Sequence, residues 1–309
     1  MCEIAKESGK KYGIFANGWV FAFAPEKGGT PVYIHGYLFP LNNAASAEVA
    51  NDKATTSAVL NSLRLKAVHH EYFMPDATSP LFISNTPNKR RIYDFCGKYP
   101  KVVVKPNAGT GGENVFFADT AEEAFEYASG IFALNQDVAI CPFIDIKDEY
   151  RVIMLNGIAE ITYKKLRPGI TGDGVSTVNE LFNTAKNAEN RYKKVVLDDK
   201  LDGCYVPKKG ETVLLNPRHN LGLGSVPCFE LPESIKETII KTAKKALNAL
   251  NLVFASVDII ENSDGAFSVL EVNSGVMLER LAGFDETSYQ KAKTVYKKAF
   301  DLSFLSAKL

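Results

Sequence analysis

The sequence predicts an α+β fold, and three observations predict it. Apolar, β-branched runs recur along the chain, and several are joined by turn signals of the hairpin type. Between them lie segments with apolar residues at helical spacing, such as Ile235, Ile239, Ala243, Ala246 and Leu250. The 309 residues are enough to bury a large core and to build two lobes or two to three subdomains.

Composition narrows the function. Lys+Arg and Asp+Glu are both 36, so the formal net charge is zero. A nucleic-acid partner is not expected, because such proteins usually carry a basic excess. The five cysteines (Cys2, Cys96, Cys141, Cys204, Cys228) are scattered without a C-x-x-C pair. That suggests reduced thiols and a cytoplasmic location. No apolar run approaches the roughly 20 residues of a membrane helix, and the charged start (Glu3, Lys6, Glu7, Lys10, Lys11) does not read as a signal peptide.

Residues 1–50 form a short β-rich segment. Three apolar runs at 12–16, 19–23 and 31–34 are punctuated by Asn17-Gly18, a hairpin signal. A helical pattern follows from Asn51, with Asn51 or Asp52 as its cap and Leu60, Leu63 and Leu65 on it. The adjacent His69 and His70 would point to opposite faces of a strand, which argues against a shared metal. Residues 86–98 read as a short basic helix.

Next comes Lys101-Val-Val-Val-Lys105-Pro106-Asn-Ala-Gly109-Thr110-Gly111-Gly112, then a second strand from Val115. Glycines let backbone N–H groups close on phosphate oxygens, and a lysine at a strand end adds charge to them. From these residues alone, a glycine-rich turn with a solvated lysine is an equal alternative. Thr120 and Glu123 form a capping box for a helix over 121–133. A third strand, Asp137 to Ile144, leads into Glu149-Tyr150-Arg151, and a returning strand ends in Lys164, Lys165 and Arg167. Residues 186–204 are long and polar, the pattern of a lid or a disordered loop.

The last third holds two apolar runs, Phe254 to Glu261 and Phe267 to Asn273, around the turn Asn262-Ser-Asp-Gly265. Glu271 and Asn273 share a face, and a hairpin brings Asp258 beside them. Three hard oxygen donors of this kind suit Mg²⁺, which shares its shell with substrate phosphates. A helix from Asp285 to about Leu302 ends the pattern.

Asp258 with Glu271-Val-Asn273 resembles the metal signature of the ATP-grasp superfamily. The other parts follow that family's order over roughly residues 51–300. Val102-Val-Val-Lys105-Pro106 with its glycine loop resembles the phosphate lid. Gly172-Asp-Gly-Val-Ser-Thr177 and Val206-Pro…Gly210-Glu211 resemble segments of cyanophycin synthetases and of glutathione-synthetase modules. The resemblance implies two α+β lobes clamping ATP, divided into 1–50, a linker helix and small lobe at 51–147, and a C-terminal lobe at 148–309.

It further implies a set of roles. Lys105 and the Gly109, Thr110, Gly111, Gly112 loop hold phosphates, with Lys53 as a weaker candidate. Cys141, Pro142, Phe143 and Ile144 border adenine, and Glu149 takes the ribose. Arg218 stabilises the moving phosphoryl group, and Asp258, Glu271 and Asn273 hold one or two Mg²⁺, with Mn²⁺ as a substitute. Arg151, Lys164, Lys165, Arg167, Asn220, Ser274 and Gly275 are the substrate candidates. Cys141 stands where many relatives carry glutamate, and Ser274-Gly275 where most have Pro-Gly. The implied activity is an ATP-dependent carboxylate–amine ligase acting on amino acids or short peptides, without membrane or nucleic acid, as a homodimer. The alternatives are an ATP-grasp kinase and a non-catalytic nucleotide-binding module.

Overall fold

The computed structural model describes residues 1–25, 29–75, 87–109, 111–198 and 200–306. After a first helix, α1 (Cys2–Glu7), strands β1 (Tyr12–Phe15), β2 (Val20–Phe23) and β3 (Val32–His35) form an antiparallel meander. The first turn carries Ala16, Asn17 and Gly18 at positive φ, which is why Asn-Gly is found there. Phe23 packs edge-on to Phe300, ring centroids 5.0 Å apart, and Phe39 to Phe254 at 5.5 Å. The β-rich segment is thereby fastened to the C-terminal lobe.

Helices α2 (Ala44–Asn51) and α3 (Lys53–Ser62) meet at Asp52, whose carboxylate accepts from Thr55 N–H at 2.6 Å. The helix expected to join the small lobe packs on the large one. Ala50 and Leu60 share a core with Val269 and Val272, and across the join Val68 N–H donates to Val269 C=O while Val269 N–H donates to Lys66 C=O.

The small lobe is a four-stranded sheet in the order β4 (Glu71–Phe73), β7 (Val138–Pro142), β5 (Val102–Pro106), β6 (Phe116–Ala118). Helices α4 (Asn88–Cys96) and α5 (Ala121–Ala133) cover one face, and α5 opens on the expected capping box at Thr120 and Glu123.

The large lobe contains β8 (Ile146–Leu155), β9 (Ile158–Leu166), β12 (Val226–Cys228), β13 (Phe254–Asn262) and β14 (Phe267–Asn273), ordered β12-β9-β8-β13-β14. A small ribbon, β10 (Gly169–Thr171) with β11 (Thr212–Leu214), projects with α6 (Val178–Ala188). The polar stretch read as a lid or disordered loop is pinned at two of its described residues. Tyr192 and Val195 bury among Ile170, Val178, Phe182 and Leu215, and these few apolar residues anchor the run.

Side-chain alternation along the five-stranded sheet decides where chemistry can sit. Tyr150, Val152, Met154, Val257 and Ile259 face α7 (Glu233–Ala249) and form one core. On the opposite face, Ile153, Leu155, Ile161 and Phe254 pack under the N-terminal meander and α9 (Glu286–Ser306), which follows the short α8 (Glu279–Ala282). The same face continues beyond them as Glu149, Arg151, Lys165, Ser256 and Asp258, facing the small lobe.

Candidate active site

A cleft of about 390 Å³ separates the lobes. Its floor is the polar end of the large sheet. Register places Arg151 opposite Asp258, and Asp258 opposite Glu271 across a bulge that begins after Asp258. Arg151 donates to both Asp258 oxygens, at 2.6 and 2.5 Å. The Lys165 ammonium lies 3.0 Å from Asp258 and also donates to Glu149. Two cations and two carboxylates thus neutralise one another, nearly sealed from water. Burial alone pushes the Asp258 carboxyl up, but Arg151 and Lys165 outweigh it and hold it well below the usual range. Burial raises Glu149, opposed by Lys165.

The roof is the glycine loop. Gly109, Gly111 and Gly112 all have φ between +78° and +120°, where a side chain is strained. Lys53 props the loop from below, its ammonium donating to Gly109 C=O at 2.8 Å, and burial lowers its pKa. Asn220 donates to Gly111 C=O at 2.8 Å, and Arg218 to Val115 C=O at 3.0 Å. The large lobe therefore holds the loop at one of its glycines and again just after them. Thr110 lies outside the described residues.

Lys105 sits near the end of β5, only 7% exposed, and among the described residues no hydrogen bond or ion pair reaches its ammonium. A buried, unpaired cation is costly, and its cleft position invites an anion to balance it. Between the lobes Cys141, Val68 and Ile260 make a dry slot, extended by Val103, Ile144 and Leu270. Pro142 and Phe143 border it, the latter with the Lys101 ammonium 4.8 Å above its ring. A flat apolar slot with neighbouring cations is the arrangement that takes a heterocycle with an anionic tail.

The structure departs from several expectations. Asp258 has both oxygens engaged by Arg151 and Lys165, so its carboxylate already has two cations where a metal was expected, and Glu149 has one oxygen engaged by Lys165. Lys164 points to the opposite face of β9 and pairs with Asp148 at 2.7 Å, since adjacent strand residues alternate. Ser274 turns away and donates towards Ala47 C=O and Asn51 Oδ1 at 3.1 Å. Gly275, Arg167 and Asn220 do line the cleft. His219 is held by Lys165 C=O at 2.9 Å, and burial brings its pKa down to about 4.

Glu271 and Asn273 remain in the cleft beside each other, Asn273 Nδ2 3.0 Å from Glu271 Oε1. Among the described residues no group of three or more His, Cys, Asp or Glu is placed to hold a metal. One carboxylate and one amide oxygen fit Mg²⁺ only if phosphates and water complete its shell, which is how that ion is commonly held. Tyr37, Met277 and Arg280 also line the cleft and were not singled out from sequence. For Arg280 the signal was proximity to Asn273; Tyr37 had none, because it meets Gly275 only through the fold.

No protein-family model matches the chain. It is 36% identical over 178 residues to a tetrahydromethanopterin:alpha-L-glutamate ligase from Methanocaldococcus jannaschii, covering 57% of this chain and 46% of that protein. It is 26% identical over 186 residues to a glutathione biosynthesis bifunctional protein from Listeria welshimeri, covering 53% of this chain and 23% of that protein. The chain thus spans less than half the length of these relatives. A crystal structure of D-alanine–D-alanine ligase from Bacillus anthracis superposes with a TM-score of 0.55 at 17% identity, over 86% of this chain and 69% of that one. The fold is the two-lobed α+β ATP-grasp fold.

Proposed function

We propose that this chain, built on an ATP-grasp fold, is an ATP-dependent carboxylate–amine ligase for amino acids or short peptides. The observation that carries the reading is Lys105: a buried ammonium, without a partner among the described residues, at the mouth of a positive-φ glycine loop and facing an apolar slot. The names of the relatives support the reaction class.

Adenine would occupy the slot at Cys141 and Ile144, and the phosphates would run under the glycine loop towards Lys105 and Arg218. A substrate carboxylate oxygen attacks the γ-phosphorus, the bond to the bridging oxygen breaks, and ADP leaves. The amine then attacks the acyl carbon, inorganic phosphate leaves with the bonding pair, and the surplus amine proton passes to solvent. Arg218, a planar donor that keeps its charge, would balance charge spreading over the transferred group. Glu271 and Asn273 would hold Mg²⁺, which supplies further charge neutralisation between phosphates when bound. The remaining work is positioning. A homodimer and a cytoplasmic location belong to the same reading and rest on the resemblance and the cysteine pattern.

The test is phosphate release from Mg-ATP with pairs of amino acids and short peptides, followed by mass analysis of products. Release requiring two substrates, with a product lighter than their sum by one water, supports the ligase. A product heavier by one phosphoryl group would move the protein to the kinases.

A further inference from the structure

We propose that Tyr37 and Arg280 build the pocket for the carboxylate substrate, and that this substrate carries an apolar or aromatic side chain. The proposal rests on the ligase reading above.

Gly36 and Tyr37 form a tight turn, in which His35 and Leu38 exchange backbone hydrogen bonds at 3.1 and 2.9 Å. Gly36 has φ +58°, and a Cβ there would lie 2.4 Å from the Trp19 ring. The turn is therefore clamped under Trp19, which meets Tyr37 edge-on with centroids 5.8 Å apart. This thrusts Tyr37 into the cleft, against the loop that follows β14. Gly275 answers it: a Cβ there would stand 2.7 Å from the Tyr37 ring. Gly275 does not have positive φ, so glycine is needed for room rather than for backbone conformation.

The loop after Asn273 is held by hydrogen bonds. Asn42 accepts from Val253 and Phe254 N–H, and its Nδ2 lies 3.5 Å from Ser274 C=O. The Tyr296 hydroxyl accepts from Leu278 N–H and donates to Val276 C=O, both at 2.9 Å. These bonds fix Met277, Arg280 and Leu281 on the cleft wall beside Tyr37. Arg280 reaches across to Asn220 Oδ1 at 3.2 Å, next to Gly111 of the lid. Among the described residues it makes no ion pair, although its five donors suit a carboxylate.

An unpaired guanidinium at the lid end and an apolar wall of Tyr37, Met277 and Leu281 select one kind of molecule. Its carboxylate lies between Arg280 and the lid, where the γ-phosphate would arrive. Its side chain lies on the wall. The β-rich segment is thus part of the substrate site.

Binding and turnover separate this proposal from the reading beneath it. Equilibrium binding of leucine, phenylalanine, glutamate and lysine, each as the free amino acid, is measured with adenylyl imidodiphosphate and Mg²⁺ present. Phosphate release from ATP is measured over the same amino acids in pairs. Leucine or phenylalanine should bind best. Arg280→Gln should weaken that binding about ten-fold or more, the loss of a hydrogen bond to a charged group, with nucleotide affinity held within about two-fold. Arg280→Lys should recover part of it, and Tyr37→Ala should erase the preference over glutamate and lysine. Binding in this pattern without turnover upholds the pocket and removes the ligase. Turnover with an unchanged KM for the carboxylate in Arg280→Gln, or no binding of the apolar amino acids by the unaltered protein, overturns the pocket.

Discussion

The floor and the roof of the cleft hold their charges in opposite ways. On the floor Arg151, Lys165, Asp258 and Glu149 are matched ion to ion and buried together. Around the roof Lys53 and Arg218 meet backbone carbonyls, Arg280 meets an amide oxygen, and Lys105 meets no partner among the described residues. Matched charges fasten a scaffold, because removing one strands its partner in a dry place. Unmatched cations are a standing cost that an anionic ligand offsets. Location in the cleft therefore does not by itself separate a ligand contact from a strut; the presence of a protein counter-ion does.

The comparison breaks most visibly if a floor residue is changed. Asp258→Asn should leave Arg151 and Lys165 under-compensated and lower stability by about 3–5 kcal/mol, the usual result of breaking a buried pair. Urea unfolding measures it, and a loss below about 1 kcal/mol would place the floor charges among weak surface pairs. Lys105→Met should do the reverse. It removes an unpaired buried charge, so stability should hold or rise, while ATP turnover falls about 100- to 1000-fold, as for other preorganised electrostatic contacts. A Lys105→Met protein that unfolds early and retains turnover would reverse the assignment.

The histidines sharpen the contrast through pH. Burial lowers His219 to about 4 and His70 well below its ordinary value, and each has a ring nitrogen without a partner among the described residues. A depressed histidine is neutral when folded, so below about pH 6.5 the unfolded chain binds more protons. Stability from these groups is present above that pH and is lost as pH falls towards 4. Unfolding midpoints at pH 7, 6, 5 and 4 should decline, and His219→Gln with His70→Gln should flatten the slope. The smallest effect is reserved for Lys164, on the far face of β9. Lys164→Gln should cost at most about 1 kcal/mol and leave turnover unchanged, whereas Lys165→Gln should impair both.

Part of the cleft's backbone was legible in the sequence. Glycine spacing marked the positive-φ loop, because positive φ restricts residue choice locally. The turn at 262–265 marked the hairpin that sets Asp258 beside Glu271. Thr120 with Glu123 marked one helix start and Asn51 or Asp52 another, where the structure chooses Asp52, since a cap is a bond between near neighbours. What failed was assignment of partners. Lys164 and Lys165 alternate in any strand, but only the packing of α7 says which face is core. Asp258 and Glu149 read as ligand carboxylates until register brought Arg151 and Lys165 to them.

The sequence by itself determined the fold class, the order of its parts and the glycine loop, because those rest on backbone preferences and alternation within a few residues. Tertiary structure alone decided which charges are neutralised, that the linker helix packs on the large lobe, and that Tyr37 meets Gly275. Those outcomes depend on contacts between residues as far apart as Tyr37 and Gly275, and burial turns an acid from a ligand into a strut only when a cation arrives with it.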